Sequence, residues 1–218
     1  MAEEVLFPCR RCGRSFPVKR MDVLDTGEDP SFFEKIRDNS AFWVQCPYCG
    51  WETHGDYSFL YKERDRHYML YYAADEEDYR RIFGIFRKKS GSFAGEELSR
   101  WTKRIVTYHR DVLEKLLILD GGMDDRIIEI MKALAYASLH RQRKELKPDT
   151  VLFDRGADGN YYFRFLEGKE TAAAYAFERP MYEKIREGVQ PFLNGADGDS
   201  PVVNSQWAVQ LLVRMQKG

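Results

Sequence analysis

Long apolar runs, surplus charge, histidine and cysteine are all scarce in this sequence, and each scarcity closes a class of function. No stretch approaches the ~18 consecutive apolar residues of a membrane-spanning helix, so nothing is expected to cross a bilayer. Met1–Phe7 is short and acidic, not a basic segment leading into an apolar one. That predicts no secretory leader and a cytoplasmic location. The formal net charge is -1, with charged residues at 32%. A surface built throughout for a polyanion is therefore excluded, and only the middle third, residues 76–147, leans basic. The histidines, His54, His67, His109 and His140, show no H-E-x-x-H pairing. None is assigned a catalytic role, and no Gly-rich phosphate loop or G-x-S-x-G turn is present.

The cysteines are few but ordered. Cys9 and Cys12 form one C-x-x-C pair, Cys46 and Cys49 another, with 33 residues between the pairs and none left over. A C-x-x-C turn folds the backbone so that two thiolates aim at one point, and zinc takes four such ligands tetrahedrally. Gly13 and Gly50 follow the pairs and permit the positive φ that closes such a turn. Each pair sits between segments that read as extended. In a reducing compartment, paired cysteines point to a metal before disulfides. The expectation is one structural Zn2+ held by Cys9, Cys12, Cys46 and Cys49. Four thiolates leave no open position for water, so the ion would fold the chain and not catalyse. With four cysteines present, His54 is read as lying beside the site or on the surface.

Cys46-Pro47-Tyr48-Cys49 also has the letters of a glutaredoxin redox motif. A thiol–disulfide oxidoreductase acting through Cys46 is the rival reading. That chemistry uses a cysteine at a helix N-terminus, whereas Gly50 and Trp51-Glu52-Thr53 favour extended chain here.

Hydrophobic periodicity predicts extended chain over residues 1–25, a short helix over 30–38 and strands over 41–45 and 51–54. Residues 58–60 and 67–73 also read as extended. Asp75-Glu76-Glu77-Asp78 opens a helix of about three turns, and residues 87–95 read as a mobile linker. A strand is expected over 104–107, then helices over 110–119 and 124–144. The apolar stripe of the longer helix is read as Ile127, Ile130, Met131, Leu134, Ala137 and Leu139. Strands at 151–154 and 161–166 flank a Gly/Asp/Asn turn, with a third at 172–178, a helix over 180–190 and a loop over 194–200. Residues 206–215 fit helix or strand equally.

Other clusters have plain explanations. Asp120, Asp124, Asp125 and Glu129 read as a helix start, with Glu129 pairing to Lys132 or Arg126, before they read as a cation or acid/base site. Tyr57, Phe59, Tyr61, Tyr68, Tyr71 and Tyr72 read as a packing layer before a base-stacking platform. Asp154, Asp158 and Asn160 fit turn chemistry, not a calcium loop. Arg10, Arg11, Arg14, Lys19 and Arg20 gather at the first cysteine turn, where phosphate contact is weighed against a solvated mixed surface.

The sequence resembles the CpXC family of bacterial and archaeal proteins. The likeness rests on Phe7-Pro8-Cys9-Arg10-Arg11-Cys12-Gly13, on Asp29-Pro30-Ser31-Phe32 and on Phe42-Trp43-Val44-Gln45-Cys46-Pro47-Tyr48-Cys49-Gly50. The Tyr61 region, Arg104-Ile105-Val106, Leu113-Glu114-Lys115 and Asp124-Asp125-Arg126-Ile127-Ile128-Glu129 extend it over most of residues 5–135. Arg10 stands where the family pattern has proline, a position that is not a ligand. The resemblance supports zinc and implies no activity.

The sequence thus predicts an α+β chain: a zinc ribbon over residues 1–74, then a helical and β-hairpin region over 75–218, with packing between the two left open. Its function is read as non-enzymatic, a zinc-binding interaction module with a protein partner first and nucleic acid second. An enzyme sited in 75–218 has only the Asp120–Glu129 segment to offer.

Overall fold

The computed structural model describes residues 2–88, 90–193 and 199–216. It is a mixed α+β chain of small sheets and helices that divides into two compact units, Met1–Leu113 and Glu114–Gly218.

In the first unit, β1 (Ala2–Pro8) and β2 (Ser15–Met21) form an antiparallel hairpin closed by the first cysteine turn. The chain then lays down β3 (Val23–Asp25) and α1 (Phe32–Arg37). A second hairpin, β4 (Trp43–Gln45) and β5 (Glu52–His54), carries the second cysteine turn. Residues 41 and 42, expected as the start of that strand, instead belong to a single 3-10 turn, Ser40–Phe42. β6 (Phe59–Glu63) and β7 (Tyr68–Tyr72) pair antiparallel, with β3 parallel to β6 on the outside.

Parallel neighbours need a crossover, and α2 (Glu76–Phe86) supplies one. Asp75 caps it by accepting from the Asp78 N–H at 2.8 Å, and Ile82 and Phe86 are buried. The segment read as a mobile linker is folded where it is described: β8 (Ser92–Phe93) and β9 (Glu96–Glu97) make a tight hairpin. Phe93 meets the Phe86 ring edge-on, and Glu96 is held by Lys62 and Arg64 at 2.8 and 2.9 Å. Lys89 lies outside the described residues. β10 (Thr102–Val106) then pairs parallel with β7, giving the order β10-β7-β6-β3. The sheet is mixed, where only small antiparallel pairings were expected. Its continuation through β10 carries the first unit past the expected boundary at residue 74 to Leu113.

β6 and β7 are buried on both faces apart from Glu63, so the aromatic run is a packing layer as expected. Lys62 of β6 is buried in this interior. Lys62 Nζ lies 2.9 Å from Asp25 and 2.8 Å from Glu96. Arg64 adds a two-pronged contact to Asp25 at 2.9 and 2.7 Å. These charges tie β3, β6 and β9 together.

α3 (His109–Asp120) runs across the division between units. Gly122, at φ 62°, turns the chain into α4 (Asp125–Gln142), whose N-cap Asp124 accepts from the Arg126 N–H at 2.9 Å. β11 (Thr150–Arg155), β12 (Tyr161–Glu167) and β13 (Glu170–Ala176) form an antiparallel meander. α5 (Arg179–Val189) and α6 (Ser205–Met215) complete the unit, and α6 settles the open reading of 206–215 as helix. Residues 194–198 of the expected loop lie outside the described residues. The core joins Ile127, Ile128 and Ile130 of α4 to Phe153, Phe163 and Phe165 of the sheet and Trp207 and Leu211 of α6.

The expected stripe on α4 is corrected in its second half. Leu134 is 43% exposed and Ala137 is also exposed, while Leu139 is buried as expected and Lys132, outside the stripe, is buried with Ala135 half-buried. The first half of α4 is covered all round, so Ile127, Ile128 and Ile130 are all buried and periodicity there carries no direction.

Candidate metal centre

The two cysteine turns repeat one backbone pattern. In the first, the Gly13 N–H donates to the Cys9 carbonyl at 2.9 Å and the Cys9 N–H to the Arg14 carbonyl at 3.0 Å. In the second, the Gly50 N–H donates to the Cys46 carbonyl at 2.9 Å and the Cys46 N–H to the Trp51 carbonyl at 2.8 Å. Gly13 and Gly50 sit at φ 73° and 67°, where a side chain is strained. This is the positive-φ closure expected from the sequence, and it turns both thiols of each pair to one side.

The four sulfurs converge within 4.8 Å of one another. Cys9 Sγ lies 3.6 Å from Cys49 Sγ, and Cys12 Sγ 3.8 Å from Cys46 Sγ. Both close pairs join one turn to the other. A disulfide would need about 2.05 Å, and all four cysteines are free. Four sulfurs ~2.3 Å from a central ion stand about 3.8 Å apart along each tetrahedral edge. The sulfurs therefore fit a tetrahedral ion without further movement at the two close pairs.

Alternating strand residues seal the site from beneath. Phe16 of β2 and Val44 of β4 are buried beside Cys9 and Cys46, with Phe7, Val18 and Trp51 packed around them. Trp51, read as the first residue of the strand leaving the turn, lies just before β5 and packs half-buried against this cluster. Cys12 is exposed and Cys49 half-buried, so the cluster opens on one side to solvent.

The electrostatics show what the cluster does without a cation. At Cys9 burial works against the thiolate, but the Cys12 and Arg11 N–H groups outweigh it and bring the thiol down to about 6. At Cys49 the Trp51 N–H favours the thiolate, but burial and the neighbouring sulfurs prevail and push it up to about 12. One proton leaves readily and the last is retained, because four thiolates cannot share so small a volume. A dication in their midst reverses that balance.

The remaining candidates do not join this site. Asp124 caps α4 and pairs with Arg126 at 2.6 Å, and Asp120 is exposed on α3. Asp125 and Glu129 are buried, and the Lys115 ammonium meets them at 2.8 and 3.5 Å. Glu129 also pairs with Lys132 at 3.1 Å, as expected. Lysines fill that acidic segment where a cation would sit. Asp158 accepts from the Asn160 N–H at 3.1 Å, which is turn chemistry. His109 packs its ring against Tyr72 at 4.3 Å, and the His54 side chain lies outside the described residues. Among the described residues, no helix is long and apolar enough to cross a membrane.

The fold and site define a small α+β protein whose one cluster of metal-ligating side chains, among the described residues, is four cysteines. The family model described as CpXC protein matches residues 7–132, more than half of the chain, and the protein belongs to the CpXC family. No curated protein and no solved structure matches it.

Proposed function

We propose that Cys9, Cys12, Cys46 and Cys49 bind one structural Zn2+, joining the two hairpins as a zinc ribbon, and that the protein is a non-enzymatic binding module. The carrying observation is the convergence of four sulfurs, with cross-turn separations of 3.6 and 3.8 Å that match a tetrahedral edge. An all-thiolate donor set favours zinc among common ions and gives it no free position for substrate. Hairpins this small bury little apolar surface, so ion binding contributes directly to their folding.

The test is metal analysis of protein purified without added zinc, followed by chelation. About one zinc per chain is expected. Chelation should release it together with loss of backbone amide protection over residues 5–18 and 43–53. Protein that is metal-free as isolated, with both hairpins protected, would refute the reading. The oxidoreductase alternative gains no support from the backbone: Cys46 enters a turn and then β5, not a helix.

A further inference from the structure

We infer that the paired cysteine turns form a binding surface for single-stranded nucleic acid, with Arg10, Arg11 and Arg14 meeting phosphates and Tyr48 stacking on a base. This deepens the proposed function and rests on it, since the ion would hold the two turns side by side.

Charge is the first observation. Residues 8–21 contain Arg10, Arg11, Arg14, Lys19 and Arg20 and no carboxylate, and residues 43–51 contain no charged side chain at all. The chain is near neutral as a whole, so the positive charge is local. Arg10, Arg11 and Arg14 are exposed, and none makes an ion pair among the described residues. Arg80, Arg81 and Arg100 of this unit are held by Glu76, Asp78 and Glu97; Lys19, Arg66, Arg87 and Lys88 are exposed without an ion pair among the described residues but, Lys19 apart, lie outside the cysteine turns and their hairpins.

A counter-ion role toward the sulfurs is the plain alternative. Four thiolates around a dication carry a formal charge of about −2, which three arginines would offset. The hydrogen-bond pattern argues otherwise. The N–H groups directed at Cys9 Sγ are backbone ones, with Cys12 N at 3.4 Å. Among the described residues, no guanidinium bonds a cysteine sulfur. Arg14 instead lies 5.2 Å over the ring of Tyr48, on the facing turn. The guanidinium groups are thus left for a ligand.

The aromatic ring is the second observation. Tyr48 is 54% exposed at the tip of its turn, with Arg14 already against the ring. A π-face beside unpaired arginines suits a base and its phosphate. The sequence alone favours a protein partner; the carboxylate-free run of exposed arginines beside an exposed ring favours a polyanionic strand with bases to stack.

The test is fluorescence anisotropy of the intact chain with labelled oligo(dT) and oligo(rU) of about 12 nucleotides. A duplex of the same length and a polyglutamate of equal charge serve as competitors, and zinc is quantified in every sample. With about three phosphate contacts, the slope of log K against log salt should be about −2, roughly a 20-fold loss between ~50 and ~200 mM. The double variant Arg10→Gln/Arg11→Gln should flatten the slope to about −0.7. Tyr48→Ala should weaken binding about 5- to 100-fold with the slope unchanged, and Tyr48→Phe should restore it. Tighter binding of one oligonucleotide over the other assigns the strand to DNA or RNA, and either supports the surface. Zinc-loaded protein that binds neither strand, or binds polyglutamate as tightly, overturns it. So does binding that is indifferent to the variants. Metal-free protein would refute the zinc reading separately: strand binding by it with the same Arg and Tyr dependence supports the surface, and no binding overturns both.

Discussion

Replacing Lys132 by methionine tests the buried charge network of the second unit. Lys132 Nζ lies 2.9 and 3.1 Å from the two oxygens of Glu114 and 3.1 Å from Glu129. All three side chains are nearly inaccessible, and Glu114 also accepts from the Phe153 N–H at 2.7 Å. At an effective dielectric of ~20, each contact near 3 Å carries about 5 kcal/mol of gross attraction, largely offset by desolvation. Lys132→Met keeps the side-chain volume but strands Glu114 without a cation and leaves Glu129 only the longer contact to Lys115 at 3.5 Å, so the expected loss is about 3–5 kcal/mol. Urea unfolding across pH is the assay. Burial pushes the Glu114 carboxyl up against the pull of Lys132, and removing Lys132 pushes it further. A carboxyl raised in the fold contributes stability below its unfolded value of 4.5, and that stability is lost as pH climbs through the folded value. The deficit of the variant should therefore be small near about pH 5 and grow toward about pH 8. Adding Glu114→Gln should recover part of the loss at the higher pH. A deficit below about 1 kcal/mol that does not change with pH would refute the reasoning.

Three further outcomes follow from single contacts. Asp25 is held down to about 2: burial opposes its ionisation, but Arg64, Lys62 and the Gly27 N–H prevail. A depressed carboxyl contributes stability above its unfolded 3.8 and loses it as pH falls toward 2. Asp25→Asn should cost about 3 kcal/mol at neutral pH and flatten the acid limb of the stability curve, measured by thermal unfolding in a pH series. Tyr182→Phe removes the hydroxyl that accepts from the Asp124 N–H at 2.8 Å, so about 1–2 kcal/mol should be lost in urea titration with the m-value unchanged. Gly13→Ala meets no atom within 4 Å but must hold φ 73°, so it should cost about 1–2 kcal/mol and loosen metal retention in a chelator competition.

What could be read from the sequence was what neighbours along the chain decide. The cysteine turns are local, and Gly13 and Gly50 marked their closure. The acidic start of α2 and the turn between β11 and β12 were legible for the same reason. What escaped depends on distant partners. Nothing in residues 102–106 announces a parallel pairing with β7, which forms only after the intervening helix crosses over. Residues 87–95 read as a linker because Gly91, Gly95 and the lysines dominate locally, while the partners that pin the region, Lys62 and Phe86, lie elsewhere. The burial of Glu114 and Lys115 on α3 depends on Lys132, Asp125 and Glu129, contributed by the next helix.

The path of β3 bears on how the four-cysteine cluster is built into the chain. After the first hairpin the chain donates Val23–Asp25 to the sheet, then returns with the second hairpin, then re-enters the sheet as β6 beside β3. The four-cysteine cluster and the sheet are therefore threaded through each other and cannot be cut apart with one pair of scissors. A fragment ending at residue 54 would keep every sulfur yet leave Leu24 and Asp25 with no strand to pair against. The four-cysteine cluster is thus interleaved with the sheet of the first unit, and no single short stretch of chain carries it intact.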